Sequence, residues 1–498
     1  LSSIKKLAGQ TMWYGVSSIA ARFISYLLTP YLTIILTKED YGRMGAVYSM
    51  IPLFNVLFTY GMETAYFRFI QKKDKAPNVN STVTISLLCS TVLLFALTWY
   101  YQSALSSIAS LKDFPKLIQL SIVIIALDAL STIPFARLRN EGRPLLFAFI
   151  KIAGIVINIA VTIFFLSYCR EYLVKHPDSF IHYFYDPADN PVKYILIANV
   201  LQAAFTLLLL SKWLLPQQWK FDFVLWKEMM MYALPMLLAG LGGMINETFD
   251  RLMLGWWLPS NVDFDEQRGI YNACYKLSIL ITLFVQAFRM GAEPFFFKQA
   301  EGENAQRVYA RVMKFFVITI SVMFLVVSLY IPIWKHFIAE KHWEGLSVVP
   351  VLLLANMFLG IYYNLSVWYK VSHKTMAGAW ITLIGAGITI IVNYIFIPRF
   401  SYMACAWATF LCYTSMMVIS FVWGQKHYRI PYAWKKLVAY IVIVVLLFLV
   451  HKTAIHFYNH LAASLILATC LLVAFMWFVL QVEKKEFKKL PVVGKYIK

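Results

Sequence analysis

The sequence predicts an all-α, polytopic membrane protein, and three observations carry that prediction. Of 498 residues, 60% are hydrophobic and only 14% are charged, with a mean hydropathy of +0.65. A soluble chain of this length needs far more surface charge. Windows of about 20 residues with few charges recur along the whole length, each long enough to cross a hydrocarbon core of about 30 Å. Within that core every backbone N–H must be satisfied inside its own segment, so the windows are helices and not open strands.

About fourteen spans meet the length criterion. They run over 11–37, 44–70, 80–104, 116–138, 145–168, 194–216, 229–258, 270–295, 311–334, 346–369, 376–397, 402–423, 437–451 and 461–481. The first follows "LSSIKKLAGQTMWYG" without a small-residue cleavage site, so no cleavable signal peptide is expected. Lys and Arg set the orientation. With a cytoplasmic N-terminus, the inner segments include "QKKDKAP", "RLRNEGRP", "QKHYRIPYAWKK" and the tail "EKKEFKKLPVVGKYIK". They hold roughly 27 of these residues against roughly 12 on the other side, the bias of the positive-inside rule. Both termini are therefore expected in the cytoplasm. The net charge of +20 is mostly topology and attraction to anionic headgroups. Nucleic acid is not an expected partner, because the basic clusters are scattered over separate loops.

The longest connection, 169–193, suits an outer interfacial cap, and Pro177, Pro187 and Pro191 break any long helix there. Trp and Tyr gather at span ends, as in Trp99–Tyr100–Tyr101, Trp256–Trp257, Trp334 and Trp343, where an amphipathic ring sits at headgroup depth. Cys89, Cys169, Cys274, Cys405, Cys412 and Cys470 have no paired spacing and read as small core residues.

A shift of 227 residues places Gly42 on Gly269, Ala46 on Ala273, Tyr48 on Tyr275 and Ala65 on Ala292. Spans 2 and 8 would then be equivalents, crossing in the same direction and related by an axis along the membrane normal; chance likeness of two aromatic-rich helices is the other reading. The repeat predicts two six-helix lobes, 1–216 and 217–425, and a C-terminal pair with a basic tail, 426–498.

Inside the spans lie six cations, Arg22, Arg68, Lys151, Arg251, Lys276 and Arg289, and five acids, Glu63, Asp128, Glu247, Asp250 and Glu293. An ion at the bilayer centre costs roughly 2.5–3.5 kcal/mol on insertion scales, so such residues face water or each other. Glu247 and Arg251 are four residues apart and can meet on one helix face, as can Arg289 and Glu293. Arg68, Lys151, Arg289 and Glu293 lie close enough to the inner surface to snorkel to the headgroups, and a purely anchoring role stays open for them. The excess of one cation favours an anionic substrate over a cationic one.

Other motifs point away from catalysis. No G-x-x-x-x-G-K-[S/T] loop or H-E-x-x-H is present. His456 and His460 have metal-like spacing but lie in an outer connection. Asp263 and Asp265 form a D-x-D that could take a divalent ion, as in a glycosyltransferase, yet no domain stands beside them to position a donor sugar. "NST", "NET" and "NLS" fall at or within spans and are not glycosylation sites. No metal and no cofactor are expected.

The stretch "RFISYLLTPYLTIILTKEDYGRMGAVYSM" resembles the opening of the Wzx-type polysaccharide (O-antigen) flippases: an Arg in the first span, a Pro-containing helix, Asp-Tyr-Gly, then an aromatic second span. "FDRLMLGWW" followed by "GIYNACYKLSILITLFVQAFRMGAEPFFF" resembles spans 7 and 8 of the same family. These are the polysaccharide members of the multidrug/oligosaccharidyl-lipid/polysaccharide exporter superfamily. The resemblance implies a fourteen-helix carrier, not an enzyme, moving a glycan on undecaprenyl diphosphate across the bacterial inner membrane. It makes Arg22, Arg251 and Arg289 candidates to meet the diphosphate, since a guanidinium binds phosphate in bidentate fashion. It makes Asp250 and Glu247 candidates for proton or sodium coupling, and spans 13 and 14 a holder for the lipid tail. Membrane lipids and the polysaccharide polymerase and chain-length machinery are the implied partners. Rocking of the lobes would be served by span 7, where Pro235, Gly240, Gly242 and Gly243 suit either a bend or close packing.

Two rivals remain at the level of sequence. A multidrug and toxin exporter of the same superfamily would need an acid-lined cavity. A membrane glycosyltransferase or polymerase would need Asp263 and Asp265 for its chemistry.

Overall fold

The computed structural model describes residues 15, 17–71, 76–216, 218–299, 302, 304–372, 374–457 and 460–488. Among these residues there are helices and no strands. Thirteen helices are long and apolar enough to cross a membrane, and a bent pair supplies a fourteenth span. In order they are Ser17–Ile35, the pair Lys38–Thr59 and Met62–Phe69, Asn78–Tyr100, Pro115–Asn140, Pro144–Lys175, Pro191–Leu209 and Phe223–Thr248 (spans 1–7). Then follow Phe264–Ala292, Ala305–Ser328, Glu340–Val371, Thr375–Phe400, Tyr402–His427, Trp434–Phe457 and Leu461–Val482 (spans 8–14). Each falls on one of the expected windows. The basic end of the tail, 489–498, lies outside the described residues.

The break in span 2 was not foreseen. Tyr60 and Gly61 both take left-handed backbone, φ 35° and 74°, and the two arms meet at 41°. Gly61 is required twice over: a side chain disfavours that φ, and a Cβ there would lie 2.8 Å from the Ala233 carbonyl oxygen. Span 7, whose Pro235 and glycines suit either a bend or close packing, runs as one helix from Phe223 to Thr248, with a short continuation Asp250–Trp257. Gly242 serves close packing, since a Cβ there would press at 3.3 Å on Thr382 and Leu383 of span 11.

By internal packing the chain divides into two units, Leu1–Ala273 with Lys374–Cys412, and Cys274–His373 with Tyr413–Lys498. This grouping differs in kind from the lobes expected from the repeat, which are bodies that would move.

In the first unit the short arm of span 2 (Met62, Ala65, Tyr66, Phe69) packs on Val79, Val83 and Leu87 of span 3, Ile133 and Ala136 of span 4, and Leu225, Met229 and Ala233 of span 7. Burying such side chains contributes about 1.5–3 kcal/mol each against water, but little of that is gained from lipid, so close fit decides which helices pair. The connection 176–190 forms a folded cap: buried Ile181 and Tyr185 anchor it, and the Tyr194 hydroxyl bonds the Asp186 backbone. Asn190 then caps span 6 ahead of Pro191.

In the second unit Ala292, Phe296, Ala305, Tyr309, Val367 and Ile430 share a core. Just past span 14, buried Glu483 takes Lys314 Nζ of span 9 at 2.7 Å, Lys436 Nζ of span 13 at 3.3 Å and the Tyr440 hydroxyl at 2.9 Å. One carboxylate so ties three helices, and the C-terminal pair packs against span 9.

Candidate functional site

Two clusters of charge lie among the apolar helices of the first unit. The first joins the start of span 2, the end of span 7 and the start of span 8. Arg251 Nη1 donates to Asp250 Oδ1 at 2.9 Å and to the Glu247 main-chain carbonyl at 2.8 Å. The Tyr271 hydroxyl donates to Asp250 Oδ2 at 2.6 Å, and the Cys405 thiol of span 12 lies 3.8 Å from the Asp250 carbonyl. Arg268, fully buried, donates Nε to the Arg251 carbonyl at 2.7 Å and Nη1 to Asp265 Oδ1 at 2.8 Å. Asp265 also receives Arg43 Nε at 3.1 Å; Arg43 holds Asp40 at 2.7 Å, and Lys38 holds Glu266 at 2.8 Å.

Four cations (Lys38, Arg43, Arg251, Arg268) are ion-paired here with four carboxylates (Asp40, Asp250, Asp265, Glu266), and Glu39 and exposed Asp263 stand beside them. That pairing is what makes burial tolerable, since an uncompensated buried charge costs several kcal/mol.

Glycine lets the helices come this close. A Cβ on Gly42 would lie 1.9 Å from the Asp265 carbonyl oxygen, and one on Gly269 would lie 1.9 Å from that of Lys38. Gly255 makes room for the guanidinium of Arg268, which a Cβ would meet at 2.3 Å.

The second cluster draws on spans 1, 2, 4 and 5. Asp128 has Lys151 as its charged neighbour and Asn55 as a polar one. Arg22 and Arg139 are the nearby cations around Lys151, whose Nζ also stands 4.3 Å from the Phe135 ring centroid. Arg139 pairs with Glu63. Asp128, Lys151 and Glu63 are half-buried and Arg22 is exposed. Three cations against two carboxylates leave this cluster positive. Charged side chains exposed on apolar helices face water rather than acyl chains.

The structure thus gathers Arg22, Glu63, Asp128 and Lys151 in one place and Asp250 with Arg251 in another. Arg68 stands apart, its guanidinium 4.1 Å from the Tyr232 ring centroid. In the second unit Lys276 is half-buried, and exposed Arg289 lies 4.7 Å from the Tyr363 ring centroid. The Glu293 side chain lies outside the described ones. Arg251 reaches the Glu247 carbonyl, while the exposed Glu247 carboxylate has no hydrogen-bond or ion-pair partner among the described residues.

Asn55, Arg139, Lys38, Asp40, Arg43, Arg268 and Tyr271 are not among the residues the sequence singles out, and Asp265 is singled out only as half of the D-x-D. A signal did exist: the 227-residue shift lays Lys38–Gly45 on Asp265–Asn272. The D-x-D has a structural use, with Asp263 Oδ1 accepting from the Asp265 and Glu266 N–H groups and Asp265 clamping two arginines. Among the described residues no cluster of three or more His, Cys, Asp or Glu could hold a metal.

The sequence model of the family described as "Polysaccharide biosynthesis protein" matches residues 7–138 and 190–300, which hold the charged residues of the first cluster and Arg22, Glu63 and Asp128 of the second. The chain belongs to that family. A Haemophilus influenzae relative, an uncharacterized membrane protein, is 21% identical over 371 residues, 72% of this chain and 82% of its own length. Among solved structures, lipid II flippase MurJ in an inward closed conformation covers 94% of this chain and 98% of its own, with a TM-score of 0.68 at 13% identity. An inward-facing multidrug resistance MATE transporter of the MOP superfamily covers 84% and 94%, with a TM-score of 0.57 at 14% identity. At these identities the likeness is one of fold. The fold is the one these membrane transporters share, and the family description is that of polysaccharide biosynthesis.

Proposed function

We propose that this family member is a flippase carrying an oligosaccharide on undecaprenyl diphosphate across the bacterial inner membrane. The observation that supports it most directly is the positive cluster of Arg22, Lys151 and Arg139 around Asp128 and Glu63. A diphosphate and many hydroxyls cannot shed water into hydrocarbon, at several kcal/mol per group, without replacements for it. Guanidinium and ammonium groups supply them for the phosphates. The structural neighbour MurJ is a flippase of lipid II, and polysaccharide biosynthesis is the family's description.

The lobes 1–216 and 217–425 rock about the bound headgroup while the lipid tail stays in the bilayer beside the pair 426–498. With both termini in the cytoplasm, the Gly42–Gly269 crossing lies at the outer face, and its parting opens that face. Glu247, exposed and unpartnered on span 7, is the candidate for proton or sodium coupling, alongside Asp250. The polymerase and chain-length machinery receive the released glycan. A cation exporter would need an acid-lined site, and the cation excess of the second cluster speaks against it.

The test is reconstitution. Proteoliposomes loaded with a lipid-linked glycan are challenged with an impermeant glycosidase, and protection is followed with time. Normal translocation by Arg22→Ala, Arg251→Ala and Arg289→Ala, all correctly folded, would sink the cation-lined route. Efflux of organic-cation dyes would favour the exporter instead.

A further inference from the structure

The arrangement around Asp250 is that of an anion receptor already filled by the chain itself. We propose that Asp250 is an internal stand-in for the substrate's phosphate, occupying donors that a free anion takes once Asp250 leaves them. This rests on the flippase reading and adds to it how one site is kept closed.

Three donors converge on one carboxylate. Asp250 Oδ1 accepts from Arg251 Nη1 and from the Arg251 main-chain N–H, each at 2.9 Å, and Oδ2 accepts from the Tyr271 hydroxyl at 2.6 Å. A guanidinium, a backbone N–H and a hydroxyl on the two oxygens of one anion are the donor set a phosphate oxygen pair demands. The donors come from two helices, spans 7 and 8. The Arg251 guanidinium also lies 5.5 Å from the Tyr271 ring centroid, so the same two residues wall the receptor.

Burial supplies the second half of the argument. Asp250 is 3% and Arg251 6% exposed, so no anion from solution reaches Arg251 in this state. The cation cannot be left bare there, and its own neighbour neutralises it. Arg268 Nε fixes the Arg251 carbonyl and so holds the backbone that aims the receptor N–H. When Tyr271 draws away with span 8, one of the three donors is lost to Asp250 and Arg251 becomes reachable. When span 8 returns, Asp250 competes for the same donors and expels whatever anion is there. Asp250 thus makes occupancy of Arg251 depend on the separation of spans 7 and 8.

Inorganic pyrophosphate is the probe, titrated into the full chain in nanodiscs by calorimetry and by its effect on Tm. Asp250→Asn keeps an oxygen for Tyr271 and removes the charge. It is expected to bind pyrophosphate at least ten times more tightly than wild type. Arg251→Ala in that background is expected to abolish the gain. No gain in Asp250→Asn, or a gain that survives Arg251→Ala, overturns the proposal. If Asp250→Asn is unstable, pyrophosphate should restore its Tm; a variant that stays unfolded at saturating pyrophosphate also overturns the idea, because a receptor able to take a free anion would be refilled. Translocation by wild type tests the flippase reading separately. Translocation with no gain in Asp250→Asn removes only the stand-in, and a gain without translocation removes only the flippase.

Discussion

Gly42 and Gly269 lie back to back, the backbone nitrogen of each about where the other's first side-chain atom would touch it, at 3.0 and 3.1 Å. They are also partners in the sequence repeat, and the relation is reciprocal. Gly42 faces Asp265 as Gly269 faces Lys38, and a shift of 227 residues turns one statement into the other. Gly45 likewise faces its own repeat equivalent, Asn272. Equivalent positions meet only where a two-fold axis passes between them.

Gly42→Ala and Gly269→Ala should each force the crossing apart, because the obstructing atom is a backbone carbonyl and not a flexible side chain. Overpacking of this kind costs about 1–3 kcal/mol and occasionally more. Each variant is expected to lower Tm in detergent, whereas Gly243→Ala, with nothing within 4 Å of its Cβ, leaves it unchanged.

Lys151→Met keeps the length of the side chain and removes its charge. Translocation of lipid-linked glycan is expected to fall at least tenfold, corresponding to one lost charge-assisted contact of about 1.5–3 kcal/mol. Lys151→Arg should retain most of the rate. Equal loss in both variants would point to packing against Phe135 rather than charge.

Asp189 in the 176–190 cap is held below the usual carboxylate range by its hydrogen bond from Lys193, burial opposing and the charges of Lys193 and Lys116 assisting. A depressed folded value means that the stabilisation is fully present above the unfolded value of about 3.9 and is lost as pH falls through the lower, folded one. The Tm difference between wild type and Asp189→Asn should therefore be constant from pH 7 to 5 and close below pH 4. A difference that persists unchanged at pH 3 would contradict this.

Glu483→Gln removes the one carboxylate that answers Lys314 and Lys436 among the described residues. Removing one partner of a buried pair costs about 3–5 kcal/mol, at the lower end here because Lys436 is half in water. Hydrogen exchange is expected to speed up in spans 13 and 14 and to stay as in wild type across spans 3–6.

Much of this was legible in the residues. Apolar windows of fixed length locate all fourteen spans because hydrocarbon thickness sets length and unmet backbone groups forbid anything but helix. Asp128, Lys151 and Arg251 stood out because charge is scarce inside spans. The break at Tyr60–Gly61 did not, since left-handed φ at a tyrosine leaves no composition cue, whereas Pro235 and three glycines drew attention to span 7. Lys38, Asp40 and Arg43 fall between the first two apolar windows; only their ion pairs, Lys38 with Glu266 and Arg43 with Asp40 and Asp265, show them to be part of a network.

The sequence alone determined the solvent this protein lives in, the number and length of its helices and the family it belongs to, for these depend on short-range pattern and on hydropathy. Only the tertiary structure decided which charges are partners. Asp250 neutralises Arg251 and leaves Glu247 unmatched, although spacing on one helix favours the opposite. Coulomb energy and hydrogen bonds act over a few ångströms, and those distances are fixed by how separate helices cross, which no single segment encodes.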